Sequence, residues 1–384
     1  MNLRTAVTGF SAVVDIVQES LLFGPTVTGL LGTLITGCFA ACAFVAPVLA
    51  RRFGLEHAVL GAVAITTVGL ALRAAAESAG MLIAATVVGF AGVGAANVLL
   101  IPIVKEHFPD RVKAVSTLYM LLLQVGQFVA PVVGVKLATA AGWRVSLGLW
   151  PALTGIATLL WLVVVLRTSR RAGLAEAEAE SPRVAPPVRR VTGQRPSTAT
   201  LGLVGLMAMT ALHTYALITW IPSMFADAGL SAVTSATLLS LFSAMGLLAA
   251  LVIPGLAGHM RNPFPIVVIC VALLLAGYLG MLSAPASGAA LWAVLLGLGV
   301  STFPLTLTLI GLRSSTAAES ASLSGIVQGV GYGIGCIGPL ALGALNTATG
   351  SWDSSYAVLI ASLAVTLIAG WNACRPVTSL GNRE

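Results

Sequence analysis

The sequence predicts an all-α integral membrane protein: two six-helix bundles related by a pseudo-twofold repeat, with the first helix truncated. Three observations carry this. Apolar residues come in blocks of about 20, long enough to cross a bilayer as helices. Of the 384 residues, 58% are hydrophobic and 9% charged, with a mean hydropathy of +0.99. So few charges cannot cover the surface of a soluble globular domain. Finally, one polar stretch from Arg167 to about Thr200 divides the apolar sequence, and it holds seven arginines, three glutamates and four prolines. That composition cannot bury enough apolar surface to fold alone and reads as a flexible, solvated connector.

In chain order the apolar blocks fall near 26–49, 58–72, 81–104, 114–138 and 147–167 before the connector. Beyond it they fall near 201–224, 233–254, 265–283, 289–311, 323–345 and 355–373. Breaker or charged residues bound them, as at Arg51-Arg52-Phe53-Gly54 and Phe108-Pro109-Asp110. A shorter run over 2–17 precedes the first block. At about 1.5 Å per residue it falls short of the roughly 30 Å hydrocarbon core. The domain reading is therefore 1–167 for the N-terminal bundle with a partial first span and 168–200 for the connector. The C-terminal bundle takes 201–374 and the tail 375–384.

Forty-one glycines would weaken soluble helices, but between membrane helices small residues permit close approach. The cysteines Cys38, Cys42, Cys270, Cys336 and Cys374 lie inside or at the ends of spans without metal-ligand spacing. Neither a metal nor a cofactor is expected. The net charge of +7 does not gather on a foldable basic domain, so nucleic acid is not an expected partner. Basic residues mark a side of the membrane instead. With the connector in the cytoplasm, that side also holds Arg51, Arg52, Lys105, Arg111, Lys113, Arg261, Arg313, Arg375 and Arg383. The other side keeps Arg73, Lys136 and Arg144, together with Asp227 and Asp353. The C-terminus is then cytoplasmic.

The halves resemble each other. Adding 208 to a position maps Ser116 onto Ser324, Pro131 onto Pro339, Leu137 onto Leu345, Ala140 onto Ala348 and Gly142 onto Gly350. A shared offset argues duplication, and six helices repeated about an axis normal to the membrane is the expected architecture.

Few polar groups interrupt the spans, and each has two readings. His213 either meets a solute or accepts a proton, or it is hydrogen-bonded between helices. Tyr215 and Trp220 either wall a cavity or, for Trp220, sit in the interfacial belt. Asn97, Gln124, Gln127, Gln328 and Tyr332 are uncharged hydrogen-bonding groups, ligands or interhelical glue. Gln328 and Tyr332, four apart, share a face. No acid lies in mid-span: Asp15, Glu19, Asp227 and Asp353 fall at one edge, Glu106 and Glu319 at the other. A carboxylate relay through the membrane has no evident carrier. If protons are coupled, His213, Asp15 or the solute itself must carry them.

The segment Phe303-Pro304-Leu305-Thr306-Leu307-Thr308-Leu309-Ile310-Gly311-Leu312-Arg313, with Ser322-Leu323-Ser324-Gly325, Gln328-Gly329-Val330-Gly331-Tyr332 and Gly338-Pro339, resembles the major facilitator superfamily. So does a second block, Asn97-Val98-Leu99-Leu100 through Pro102, Lys105, Phe108-Pro109 and Arg111, with Gly142-Trp143-Arg144. The particular likeness is to the cyanate and nitroimidazole transporter branch. That resemblance implies a monomeric, multi-pass transporter of the bacterial inner membrane, not an enzyme, working by alternating access on a small anion or small planar polar solute. The rival is a non-transporting sensor or a decayed remnant lacking a complete first helix.

The branch places an Asn-Leu-Arg triplet inside its first helix, and here Asn2-Leu3-Arg4 follows Met1 directly. The resemblance makes Arg4 the residue that orients the solute, its planar fork of donors suiting a small anion or electron-rich ring. Arg51, Arg52, Gly54, Lys105 and Arg111 take gating and topology roles, though Arg51 stands where the superfamily has an acid. Gly126, Pro131, Gly338 and Pro339 read as helix-packing and kinking residues.

Overall fold

The computed structural model describes residues 2–175, 197–314 and 317–375. The first half comprises α1 (Asn2–Ser11), α2 (Val14–Leu21), α3 (Pro25–Phe53), α4 (Leu55–Ala74), α5 (Ala79–His107), α6 (Val112–Ala141) and α7 (Trp143–Ala175). The second comprises α8 (Thr198–Asp227), α9 (Ala232–His259), α10 (Phe264–Ser283), α11 (Ala289–Gly299), α12 (Thr302–Leu312), α13 (Ala317–Gly335), α14 (Ile337–Thr349) and α15 (Asp353–Cys374). Among the described residues, eleven helical segments are long and apolar enough to cross a membrane. They match the eleven complete spans expected. The helix α7 runs past Arg167 to Ala175, so the first residues assigned to the connector are helical. Residues 176–196 and the tail from 376 lie outside the described residues.

Three spans expected as single helices are broken. The first divides at Ala12–Val13, where Thr8 O accepts Ala12 N–H and Phe10 O accepts Val13 N–H at 3.0 Å. Beside it, the Ser11 hydroxyl bonds back to Val7 O, which loosens a helix. The tenth divides at Val300–Ser301 between α11 and α12, and the eleventh at Cys336 between α13 and α14. Both breaks stand four residues before a proline, Pro304 and Pro339, or one residue beyond that position. Proline offers no N–H to the carbonyl four residues back and crowds it. In α6, Pro131 sits inside an unbroken helix, and the carbonyl it leaves free, Gln127 O, accepts the Thr8 hydroxyl at 3.1 Å.

Within each half the helices pack closely through small residues. Thus Gly69 meets Gly89 so tightly that a Cβ would lie 2.1 Å from the Gly89 nitrogen. Repeat-related turns match in detail. Gly142 and Gly350 close α6 and α14 with φ of +89° and +69°, the left-handed region that glycine alone adopts freely. Leu159, Leu160 and Ile368 are 64%, 64% and 65% exposed, an outward surface suited to lipid tails rather than water.

Between the halves, α3 packs on α13 and α14, α6 on α9, and α1 on α8. Call the side where α7 ends and α8 begins the connector face, and its opposite the far face. The far face is closed. There the Ser223 hydroxyl donates to Asp15 Oδ1 at 2.7 Å, and the Thr26 and Thr347 hydroxyls meet at 3.0 Å. Thr33 enters the first turn of α14, donating to Cys336 O at 2.6 Å while accepting Leu340 N–H at 3.2 Å.

One surface expectation is corrected. Arg73, counted among the basic residues of the far face, is 2% exposed. Its guanidinium carbon lies 4.2 Å from the Phe10 ring centroid and 5.3 Å from that of Phe90, and Nη1 donates to Ala6 O at 3.4 Å. The two aromatic faces replace water around the cation. Lys136 and Arg144 remain exposed.

Candidate solute cavity between the bundles

A cavity of about 440 Å³ lies between the halves at half depth, walled by α1, α6, α8, α9, α11, α12 and α13. Its lining passes from Gln127, Tyr215 and Phe242 near mid-span to Met120, Pro254 and Thr308 nearer the connector face. Most of the wall is apolar, and the volume suits a small organic solute.

The N-terminal half contributes the cation. Arg4 stands on α1 across from the middle of α6, and its Nη1 reaches Gln127 Oε1 only at 3.5 Å, the long limit of a hydrogen bond. Among the described residues it makes no ion pair, and no carboxylate lines the cavity. The Arg4 charge therefore faces the cavity without an acid to neutralise it. Gln124 and Gln127 of α6 line the same wall.

The C-terminal half contributes hydroxyls. Thr214, Tyr215, Ser243 and Ser301 line the cavity, and the Thr214, Ser243 and Ser301 hydroxyls are buried without a hydrogen-bond partner in the protein. A buried hydroxyl left unsatisfied costs about 1–3 kcal/mol, so this wall is prepared to meet an acceptor. Three aromatic rings close its far-face end. Phe39, Tyr215 and Tyr332 come from three helices, and each pair meets edge-to-face with centroids 6.1 Å apart.

Of the residues expected to touch solute, Arg4, Tyr215 and Tyr332 are brought together here. The other four are placed elsewhere. His213 is 1% exposed and turned into the C-terminal bundle, with Nδ1 2.7 Å from Tyr278 Oη and Nε2 3.2 Å from Ser362 Oγ. The Ser362 hydrogen goes to Leu359 O at 2.7 Å. Nε2 is then the ring's donor and Nδ1 accepts from Tyr278, which assigns a neutral imidazole. The reason is helical geometry. Residues two apart lie about 200° around the axis, so His213 and Tyr215 cannot share a face.

Trp220 is 1% exposed, donates Nε1–H to Pro339 O at 2.9 Å and packs against Trp352 with the rings tilted by 55° and centroids 5.0 Å apart. It is neither cavity wall nor interfacial belt. Asn97 Oδ1 accepts the Tyr119 hydroxyl at 3.0 Å, and Gln328 donates Nε2–H to Ser324 Oγ at 2.6 Å. Each is committed to a neighbour and absent from the lining. Gln328 lies one turn nearer the connector face than Tyr332, so a shared helix face did not give a shared depth.

The residues expected to gate stand on the connector face. Arg51 and Arg52 are exposed at the end of α3, and Arg111 is exposed on the turn before α6. Gly54 has φ +83°, which explains a glycine between α3 and α4 by backbone geometry alone. Lys105 lies in α5, its side chain outside the described residues. Gly126 and Pro131 are buried in α6. A Cβ on Gly338 would meet Leu212 Cγ at 3.0 Å, and Pro339 presents its carbonyl to Trp220. Sequence reasoning missed Thr214, Ser243 and Ser301. The run Gly297-Leu298-Gly299 before Pro304 was the available sign of a break at Ser301.

The chain is 28% identical over 378 residues to the uncharacterized transporter YycB of Bacillus subtilis, covering 97% of this chain and 91% of that one. It is 29% identical over 354 residues to the 2-nitroimidazole transporter of Escherichia coli, covering 92% and 87%. Against the cyanate transport protein CynX of Escherichia coli it is 24% identical over 361 residues, covering 93% and 90%. Among solved structures, a bacterial homolog of the human lysosomal transporter Spinster superposes with TM-score 0.74 at 14% identity, over 97% of this chain and 93% of that one. A D-xylose–proton symporter superposes at 0.70, also with 14% identity, over 98% and 97%. These last two likenesses establish the fold. The profile of the Major Facilitator Superfamily matches residues 3–339, and the chain belongs to that family.

Proposed function

We propose that this transporter carries a small planar organic solute with a negative or electron-rich edge, by alternating access through the cavity between its halves. The observation that carries the reading is Arg4: an intramembrane guanidinium without a carboxylate partner among the described residues, facing an apolar cavity. An uncompensated cation inside a membrane is costly and points to a ligand. A three-atom anion such as cyanate would fill little of about 440 Å³, whereas a small ring could use both the apolar wall and the aromatic edges. The similarity to a 2-nitroimidazole transporter and a cyanate transport protein supports an electron-rich small solute.

The cation belongs to one half and the hydroxyls to the other. A solute that bridges them binds better when the halves approach, which is the differential affinity that alternating access requires. The carboxylate-free wall supports coupling through the solute's own proton rather than through a side-chain relay. The arginine-rich connector supports a cytoplasmic connector face in the inner membrane, and burial of Arg73 sharpens that charge asymmetry.

The test is binding to the purified protein in lipid nanodiscs, and uptake into proteoliposomes, of 2-nitroimidazole, imidazole, benzoate, terephthalate and cyanate at two pH values. Saturable binding of a planar member, lost in Arg4→Ala with the fold retained, is expected. Binding of cyanate alone, or affinities unchanged in Arg4→Ala, would overturn the reading.

A further inference from the structure

The break in the tenth span has features of its own. Ser301 stands at the N-cap of α12, where a serine hydroxyl normally accepts an N–H from the first turn. Here it makes no capping hydrogen bond. One of its two usual partners is missing, because the third helical position is Pro304, which has no N–H. Ser301 is 5% exposed, its Oγ has no partner, and it lines the cavity. Ser243 on the adjoining α9 is 1% exposed, equally unpartnered, and lines the same cavity.

The start of α12 is held rigidly. The Thr302 and Thr210 hydroxyls meet at 2.7 Å, and Thr210 is tied in turn to Leu206 O. Gly297 lies against Phe242 O, where a Cβ would come within 2.5 Å, so α11 is pressed on α9. The start of α12 therefore borders the cavity together with the unpartnered Ser301 and Ser243 hydroxyls. Of its first-turn N–H groups, that of Phe303 is taken by Val300 O at 3.5 Å and Pro304 has none, which leaves the two hydroxyls as the donors on offer.

We propose that Ser301, at the start of α12, and Ser243 form a second subsite whose hydroxyls take an oxygen acceptor such as a nitro or carboxylate group. The solute is then a ring with acceptors at two ends, one facing Arg4 on the N-terminal half and the other facing α12 on the C-terminal half. This rests on the reading of the cavity as the solute site, and it adds the requirement for two acceptors.

The experiment compares matched probes on the whole protein in nanodiscs: imidazole against 2-nitroimidazole, and benzoate against terephthalate. On the wild type, the two-acceptor member of a pair binds more tightly. In Ser301→Ala and Ser243→Ala that member weakens by roughly tenfold, the loss expected for a neutral hydrogen bond, while the one-acceptor member is unchanged. Ser301→Thr keeps a hydroxyl and restores the preference. Ser235→Ala, which removes an unpartnered buried hydroxyl of α9 that does not line the cavity, leaves both members alone.

Equal affinities within each pair on the wild type, or equal losses for both members in the serine variants, would overturn the subsite while leaving the cavity reading intact. Binding by no member of either pair would overturn both.

Discussion

Asp15 and Ser223 are 208 positions apart and 2.7 Å from each other. That separation equals the offset that maps Pro131 onto Pro339 and Gly142 onto Gly350, and it joins the first span of one half to the first span of the other. Asp15 sits on α2 and Ser223 near the far-face end of α8, and together they tie the bundles where the cavity is closed. Asp15→Ala is expected to favour opening of the far face by about 1 kcal/mol, roughly a fivefold change in the ratio of states. Spin labels at Leu22 and Ala348 would report a longer distance population. An unchanged distribution would show that this bond follows closure rather than stabilising it.

Gly29 makes a stronger case at the same seam. A Cβ there would fall 2.5 Å from Pro339 O and 2.9 Å from Leu340 Cα, and backbone cannot turn aside as a side chain can. Gly29→Ala should hold the far face apart, so that uptake falls steeply while each bundle stays folded. The same pair of labels would show the open population dominating, whereas Gly37→Ala, with open space around it, should behave as wild type.

Thr33 repairs the first turn of α14 from the opposite bundle. With Thr33→Val, Cys336 O loses its donor and Leu340 N–H its acceptor, at about 1–2 kcal/mol in the closed state. The expected outcome is slower closure of the far face and a lower uptake rate with little change in solute affinity. Serine at this position keeps the hydroxyl and should keep the rate.

His213 has a structural assignment that kinetics can check. Tyr278→Phe removes the donor to its Nδ1, and His213→Ala leaves Tyr278 Oη buried alone. Both should lower thermal stability, by about 1–3 kcal/mol for the unsatisfied group, while uptake by the folded fraction keeps its KM. A raised KM with unchanged melting would return His213 to the solute site.

The eleven complete spans, their up-and-down order and the duplication could be read from the chain. Each follows from composition summed over about 20 residues, and a bilayer selects for little else. Arg4 was also legible, because a charge within apolar sequence stands out without any knowledge of its neighbours. His213, Trp220, Asn97 and Gln328 stood out in the same way, yet they turn to partners inside their own halves. Facing is set by about 100° per residue and by what each helix meets. Thr214, Ser243 and Ser301 escaped notice because a hydroxyl in a membrane helix usually bonds to its own backbone, as Thr306 does to Thr302 O. Only the packed structure shows which hydroxyls do not.

The prolines mark the boundary between the two kinds of knowledge. By itself the sequence determined where N–H groups are missing: at Pro131, Pro304 and Pro339 alike. Only the tertiary structure decided that α6 stays whole while the tenth and eleventh spans break. In α6 the Thr8 hydroxyl of the adjacent α1 donates to the freed carbonyl, Gln127 O. Near Pro304 the chain instead breaks at Ser301 and turns the start of α12 toward the cavity. The run Gly297-Leu298-Gly299 marks a weak point in the local sequence, but which way the start of α12 faces depends on the helices packed alongside it.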